Sequence, residues 1–124
     1  VYVVIVSGWR GATDAHEEQI FKALRWVGGT VDVQLRHGRC PYGGVDLIAD
    51  RLARSWGWEV VEFPAEIRAG RVLGPARNRR MVRAQPKAHL LVAFPGPGSA
   101  GTWNCVREAS AVGIPSRIYP LESP

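Results

Sequence analysis

The chain has 124 residues, 46% of them hydrophobic, which matches one domain with one sizeable core. No apolar run approaches the roughly eighteen residues needed to cross a bilayer, and the opening VYVVIVSGWR lacks the basic leader and longer apolar stretch of a signal peptide, so a cytoplasmic protein with no membrane partner is expected. The net charge of +5 is carried almost wholly by arginine, with Lys22 and Lys87 the only lysines; guanidinium groups grip phosphate bidentately, although GC-rich codon usage accounts for the same bias. Cys40 and Cys105 lack metal-ligand spacing, so reduced thiols are expected, with no metal and no cofactor.

In chain order, residues 2–6 are a short, continuous apolar run ending at Ser7-Gly8, the pattern of a strand buried on both faces of a parallel sheet. A helix is predicted over 14–28. Asp14 and Glu17 have capping-box spacing, Ile20, Phe21, Leu24 and Val27 form one stripe, and Gly28-Gly29 stops it. Residues 31–35 read as a second strand, 37–44 as a loop, and Val45, Ile48, Ala49, Leu52, Ala53 and Trp56 recur at helical spacing up to Gly57. A third strand is expected at 59–63, an irregular segment at 64–74 and a short basic helix at 75–84 with Pro75 in its first turn. A fourth strand at 89–94, a loop at 95–100, a helix at 101–112 capped by Gly113 and a fifth strand at 116–119 complete the chain. Alternating strands and helices predict a single α/β, Rossmann-like domain over 1–124. Its five-stranded, mostly parallel sheet carries helices on both faces, and ligands sit beyond the carboxyl ends of such strands where strand order reverses.

The loops at those ends carry the candidate chemistry. After strand one, Ser7, Gly8, Trp9 and Arg10 combine a backbone that can approach phosphate, a cation, and a ring for stacking on a base or a neighbouring protomer. After strand two come His37 and Gly38, then Gly43 and Gly44 opening a helix whose first turn holds Asp46; the glycine pair suits an anion, and Asp46 suits ribose hydroxyls or the helix dipole. His37 fits phosphate binding, proton shuttling or, as is commoner for a lone histidine at a strand end, a structural hydrogen bond. In Arg77-Asn78-Arg79-Arg80-Met81, three arginines cannot share one helical face. Arg77 is expected in the cleft with Asn78 beside it, and Arg79, Arg80 and Arg83 on solvated faces or at a subunit contact. Pro95-Gly96-Pro97-Gly98-Ser99-Ala100-Gly101-Thr102 joins glycines, two hydroxyls and a helix amino terminus, as a phosphate site requires. It has neither a Gly-Lys-Ser/Thr ending nor a GxGxxG pattern.

Taken together, Gly8, His37-Gly38 with Gly43-Gly44-Val45-Asp46, Phe63-Pro64-Ala65, Arg77-Asn78-Arg79-Arg80-Met81 and Pro95-Gly96 with Gly101-Thr102 resemble, in order, the YspA-like branch of the SLOG superfamily. That superfamily includes the Lonely Guy (LOG) phosphoribohydrolases, DNA-processing proteins of the Smf type and nucleotide-sensing domains. The resemblance implies a Rossmann-like fold and nucleotide-related ligands, not one reaction. LOG enzymes use a PGGxGTxxE glutamate for N-glycosidic cleavage and an arginine of an RKxxM-like motif to support substrate. Here Arg77 and Met81 fit the second motif, while Cys105 stands at the glutamate position.

A thiol does not readily replace the carboxylate that an oxocarbenium-like transition state needs, and Cys105 fits a buried packing residue or a nucleophile at a helix start. Asp46 and Glu108 are the carboxylates that fit a catalytic role. The leading expectation is therefore binding of a nucleotide or nucleotide-derived ligand, for sensing or sequestration. The alternatives are LOG-like hydrolysis of a nucleoside 5'-monophosphate, and nucleic-acid binding. Five tryptophans, Trp9, Trp26, Trp56, Trp58 and Trp103, together with the oligomeric habit of SLOG relatives, suggest a homodimer or higher homo-oligomer.

Overall fold

The computed structural model describes residues 1–29, 31–38 and 43–123. Its order is β1 (Tyr2–Gly8), a 3-10 turn (Asp14–His16), α1 (Glu17–Gly28), β2 (Val33–His37), α2 (Val45–Ser55), β3 (Glu59–Glu62), β4 (Ile67–Arg68), β5 (Arg71–Val72), α3 (Gly74–Arg83), β6 (Leu90–Phe94), α4 (Ala100–Ala111) and β7 (Ser116–Ile118). The main sheet is five-stranded and entirely parallel, ordered β3-β2-β1-β6-β7. The chain steps outward from β1 to β3, then crosses back to place β6 on the other side of β1. The carboxyl ends of β1 and β6 thus flank the point where strand order reverses.

β1 and β6 are central because they are apolar on both faces: Val3 to Val6 and Leu91 to Phe94 are fully buried. On one face Val4, Val6, Leu35, Val92 and Phe94 pack with Ile20 and Leu24 of α1 and Val45, Ile48, Ala49 and Leu52 of α2. On the other, Val3, Ile5 and Leu91 pack with Met81 and Val82 of α3 and Cys105 and Ala109 of α4.

Three local expectations change. The first helix starts differently: the cap is Thr13, whose Oγ1 accepts from the Ala15 N–H while His16 Nδ1 accepts from the Thr13 N–H, so His16 fills the place expected of Glu17. The second strand runs two residues later, because Arg36 and His37 are buried strand residues with their polar atoms satisfied. Arg36 donates to Gln34 Oε1 at 2.8 Å, the Ala84 carbonyl at 3.2 Å and the Pro86 carbonyl at 2.6 Å. The segment 64–74 is not irregular throughout. It contains the antiparallel β4–β5 hairpin, turning at Ala69-Gly70 with both φ angles positive, the form a two-residue hairpin turn demands.

Among the described residues, no helix is long and apolar enough to cross a membrane.

Candidate functional site at the sheet switch point

The reversal point is stitched together by backbone bonds. The Trp9 N–H donates to the Phe94 carbonyl at 2.9 Å, and the Val45 N–H of α2 donates to the Trp9 carbonyl at 3.1 Å. Glycine is required for this closeness. At Gly44, φ is +89° and a side chain would strike the backbone of Trp9 and Arg10; at Gly8 it would strike the Val45 side chain. The Trp9 indole, half-buried, packs where side chains at Gly11 and Gly96 would lie and meets His16 edge-on at 5.6 Å. Part of the glycine content at this edge therefore serves internal packing.

Other glycines are different. Gly101, in the first turn of α4, has an unexceptional φ and nothing within 4 Å of where its side chain would stand, and Gly43 and Gly98 also face open space. The Gly96 N–H donates to Ser99 Oγ at 2.9 Å and the Ser99 N–H returns to the Gly96 carbonyl, closing the 96–99 turn below Gly101, while Pro95 and Thr102 are buried.

Arg77 reaches from α3 across the carboxyl end of β2. Its Nη1 donates to the Gly38 and Phe63 carbonyls, and its Nε donates to Asn78 Oδ1 at 2.9 Å. Asn78, 3% exposed, donates through Nδ2 to the Gly101 carbonyl at 3.1 Å and to Asn104 Oδ1 at 2.9 Å. Its polar atoms are thus engaged within the protein, and it fixes Arg77 relative to α4. Asn104, which sequence reasoning missed, completes that link.

His37 is fully buried, and its Nε2 meets Asp50 Oδ2 at 2.7 Å, the structural alternative expected for it. Burial tends to raise the Asp50 pKa, but hydrogen bonds from Arg54 and His37 outweigh it and hold the group below the usual carboxylate range. Asp50 follows Asp46 by one helical turn, a spacing that points to a shared helix face. His37, Asp50 and Glu62 offer ligand atoms within 4.8 Å of one another. Arg54, however, already brings a cation to both carboxylates, at 2.7 Å from Asp50 and 3.7 Å from Glu62. Residues 39–42, the middle of the loop after β2, lie outside the described residues.

A shallow groove at the opposite, amino-terminal edge of the sheet is lined by Tyr2, Trp26, His89 and Arg117 among others, with the Arg117 guanidinium 3.8 Å from the Trp26 ring. It gathers neither glycine loops nor an acid, so the switch point is the better candidate site.

The Gene 61 protein of Mycobacterium phage D29 is 42% identical to this chain over 94 residues, covering 62% of the chain and 72% of the phage protein. This chain belongs to the Gene 61 protein family. No family model and no solved structure matches it. A gene number names no reaction, so the chemistry open to this Gene 61 family member follows from its side chains.

Those side chains converge around Cys105. The thiol is fully buried and pushed up to about 11, chiefly by burial; the Ser7 hydrogen bond and the Arg77 charge pull it down, while Asp46 and Glu108 add to the rise. At neutral pH it is an un-ionised thiol, which favours the packing role over the nucleophile. Ser7 from β1, Asp46 from α2, Arg77 from α3 and Cys105 from α4 are therefore one electrostatic neighbourhood. Asp46 is 7% exposed in the first turn of α2. Glu108 lies further along α4, with its carboxylate 3.5 Å from Arg79 Nε. Arg10 is exposed at the rim.

Proposed function

We propose that the switch-point crevice binds a nucleotide or nucleotide-derived ligand, which the protein senses or sequesters. The phosphates lie against Gly43, Gly98 and Gly101, Arg77 supplies positive charge, and Asp46 lies near the ribose. The observation that carries this reading is Gly101. Glycine inside a helix costs about 0.5–1 kcal/mol relative to alanine, yet no backbone angle and no neighbour requires it there. Close approach of a ligand to the helix amino terminus explains the choice.

The test is incubation with nucleoside monophosphates, NAD-derived species and cyclic nucleotides, followed by mass analysis of the solution and of the protein-bound fraction. The expected result is one intact nucleotide retained by the native chain and lost from Gly101→Leu, whose Cβ meets nothing within 4 Å and whose melting temperature is not lowered, since leucine is the better helix former. No retention and no turnover across the panel refutes the reading.

LOG-like hydrolysis is the second reading, and the burial of Asp46, within electrostatic reach of Cys105 as Ser7 and Arg77 are, favours that carboxylate over the ion-paired Glu108. It requires release of free base that Asp46→Asn abolishes and Cys105→Ala leaves intact.

A further inference from the structure

The net positive charge of this chain is accounted for by one stretch. Of sixteen Lys/Arg and eleven Asp/Glu side chains, six arginines and Glu66 fall within residues 64–84, so this stretch carries the whole +5 and the other ten basic and ten acidic groups cancel. In space it forms a continuous surface. The hairpin is closed at its base by the Leu73 N–H donating to the Glu66 carbonyl at 2.9 Å, and α3 is tied to it by Arg80 Nη2 donating to the Pro64 carbonyl at 2.8 Å.

Its arrangement does not serve stability. Arg68 and Arg71 stand directly opposite each other across the hairpin, where like charges are unfavourable, and their neighbours Ile67 and Val72, also a cross-strand pair, are 68% and 46% exposed. Arg79, Arg80 and Arg83 are exposed on α3. Two acids answer these five arginines: Glu66 at 3.2 Å from Arg68, and Glu108 at 3.5 Å from Arg79. Among the described residues, Arg71 and Arg83 have no ion-pair partner, and Arg80 donates only to a carbonyl.

We propose that the β4–β5 hairpin and the exposed face of α3 dock on the phosphate backbone of duplex nucleic acid. Guanidinium groups without a single lysine suit phosphate oxygens. A two-stranded ribbon fits a duplex groove, and Ile67 and Val72 at its flanks add apolar contact. Residues 64–84 contain no aromatic side chain, so the platform on which unpaired bases stack is missing and a single strand is the poorer partner. The surface does not depend on a ligand in the switch-point crevice.

The experiment is fluorescence anisotropy of the native chain with a short mixed-sequence DNA duplex, the matching single strand, and anionic phosphatidylserine vesicles, across salt. Five phosphate contacts give a slope of about −4.5 in log K against log salt, or roughly a 500-fold loss from about 50 to about 200 mM. The combined Arg71→Ala, Arg80→Ala, Arg83→Ala variant, checked for an unchanged melting temperature, is expected to flatten the slope to about −2. The corresponding Arg→Lys variant retains most of it, and Arg25→Ala, Arg51→Ala, Arg117→Ala, on other surfaces, leaves it unaltered. No duplex binding at low salt, a slope indifferent to the Arg71/Arg80/Arg83 change, or preference for vesicles or the single strand overturns the proposal.

Discussion

Cys105 shows how much one side chain depends on what surrounds it. A cysteine near a helix start is in principle a candidate nucleophile, but burial raises this thiol from its ordinary 9.0 to about 11, so it is protonated across the physiological range. As pH rises past the ordinary value, the unfolded chain loses this proton while the native state keeps it. Stability associated with the neutral thiol is therefore fully present below about pH 9 and is lost as pH climbs through 11. In a Cys40→Ser background, iodoacetamide at pH 8 should leave native Cys105 unmodified by mass spectrometry and alkylate it in denaturant. Denaturation as a function of pH should show an alkaline decline that is shallower in Cys105→Ala. Rapid native alkylation would contradict the burial. The packing alternative for Cys105 and the structural one for His37 were both legible in the sequence. Asp50, the partner of His37, was not singled out, although it follows Asp46 by one helical turn.

At the level of elements, the sequence pattern located every main-sheet strand, and the boundaries of β2 moved where polar residues are buried. β2 continues through Arg36 because three acceptors, one of them on its own strand and two beyond α3, satisfy the guanidinium. Burial lowers its pKa, with Glu59 opposing that shift. No pattern of hydrophobicity marks such a residue, since two of its three partners are about fifty positions away. Arg36→Met fills similar space but leaves the Ala84 and Pro86 carbonyls unsatisfied. Each buried unsatisfied group costs about 1–3 kcal/mol, so a loss of roughly 3 kcal/mol is expected in urea denaturation, and a loss below about 0.5 kcal/mol would mean that water replaces the guanidinium. The β4–β5 hairpin escaped the sequence for another reason: its strands are two residues long, its turn is Ala-Gly rather than Asn-Gly, and its cross-strand pair is two arginines.

Across the molecule the two faces of the sheet are held differently. The α1–α2 layer buries a broad apolar stripe, including Ile20, Leu24, Val45, Ile48 and Leu52, whereas α3 buries only Asn78, Met81 and Val82. Its attachment depends on polar bonds: Arg77 to the carbonyls of Gly38 and Phe63, Arg80 to that of Pro64, and Asn78 to Gly101 and Asn104. Elements with few apolar contacts open first, at free energies below that of global unfolding, so α3 should be the first helix to exchange its amide hydrogens. Asn78→Ala removes the hydrogen bonds from α3 to Gly101 and Asn104 of α4, leaves the apolar packing of Met81 and Val82 in place, and frees Arg77 from its neighbour. Protection of the α3 amides should fall about tenfold or more, because a lost buried hydrogen-bonding group costs about 1–3 kcal/mol, while exchange in α1 and α2 stays close to that of the native chain. Equal loosening of all four helices would show that the sheet opens as one unit. The same helix carries Arg77 into the crevice and Arg80 and Arg83 to the basic face, so the least firmly held layer is also the one that both binding proposals require to move least once occupied. A nucleotide in the crevice and a duplex on the hairpin and α3 surface should each slow exchange in α3, and Asn78→Ala should weaken nucleotide retention more than duplex binding, since it removes a direct partner of Arg77 but of none of the exposed arginines.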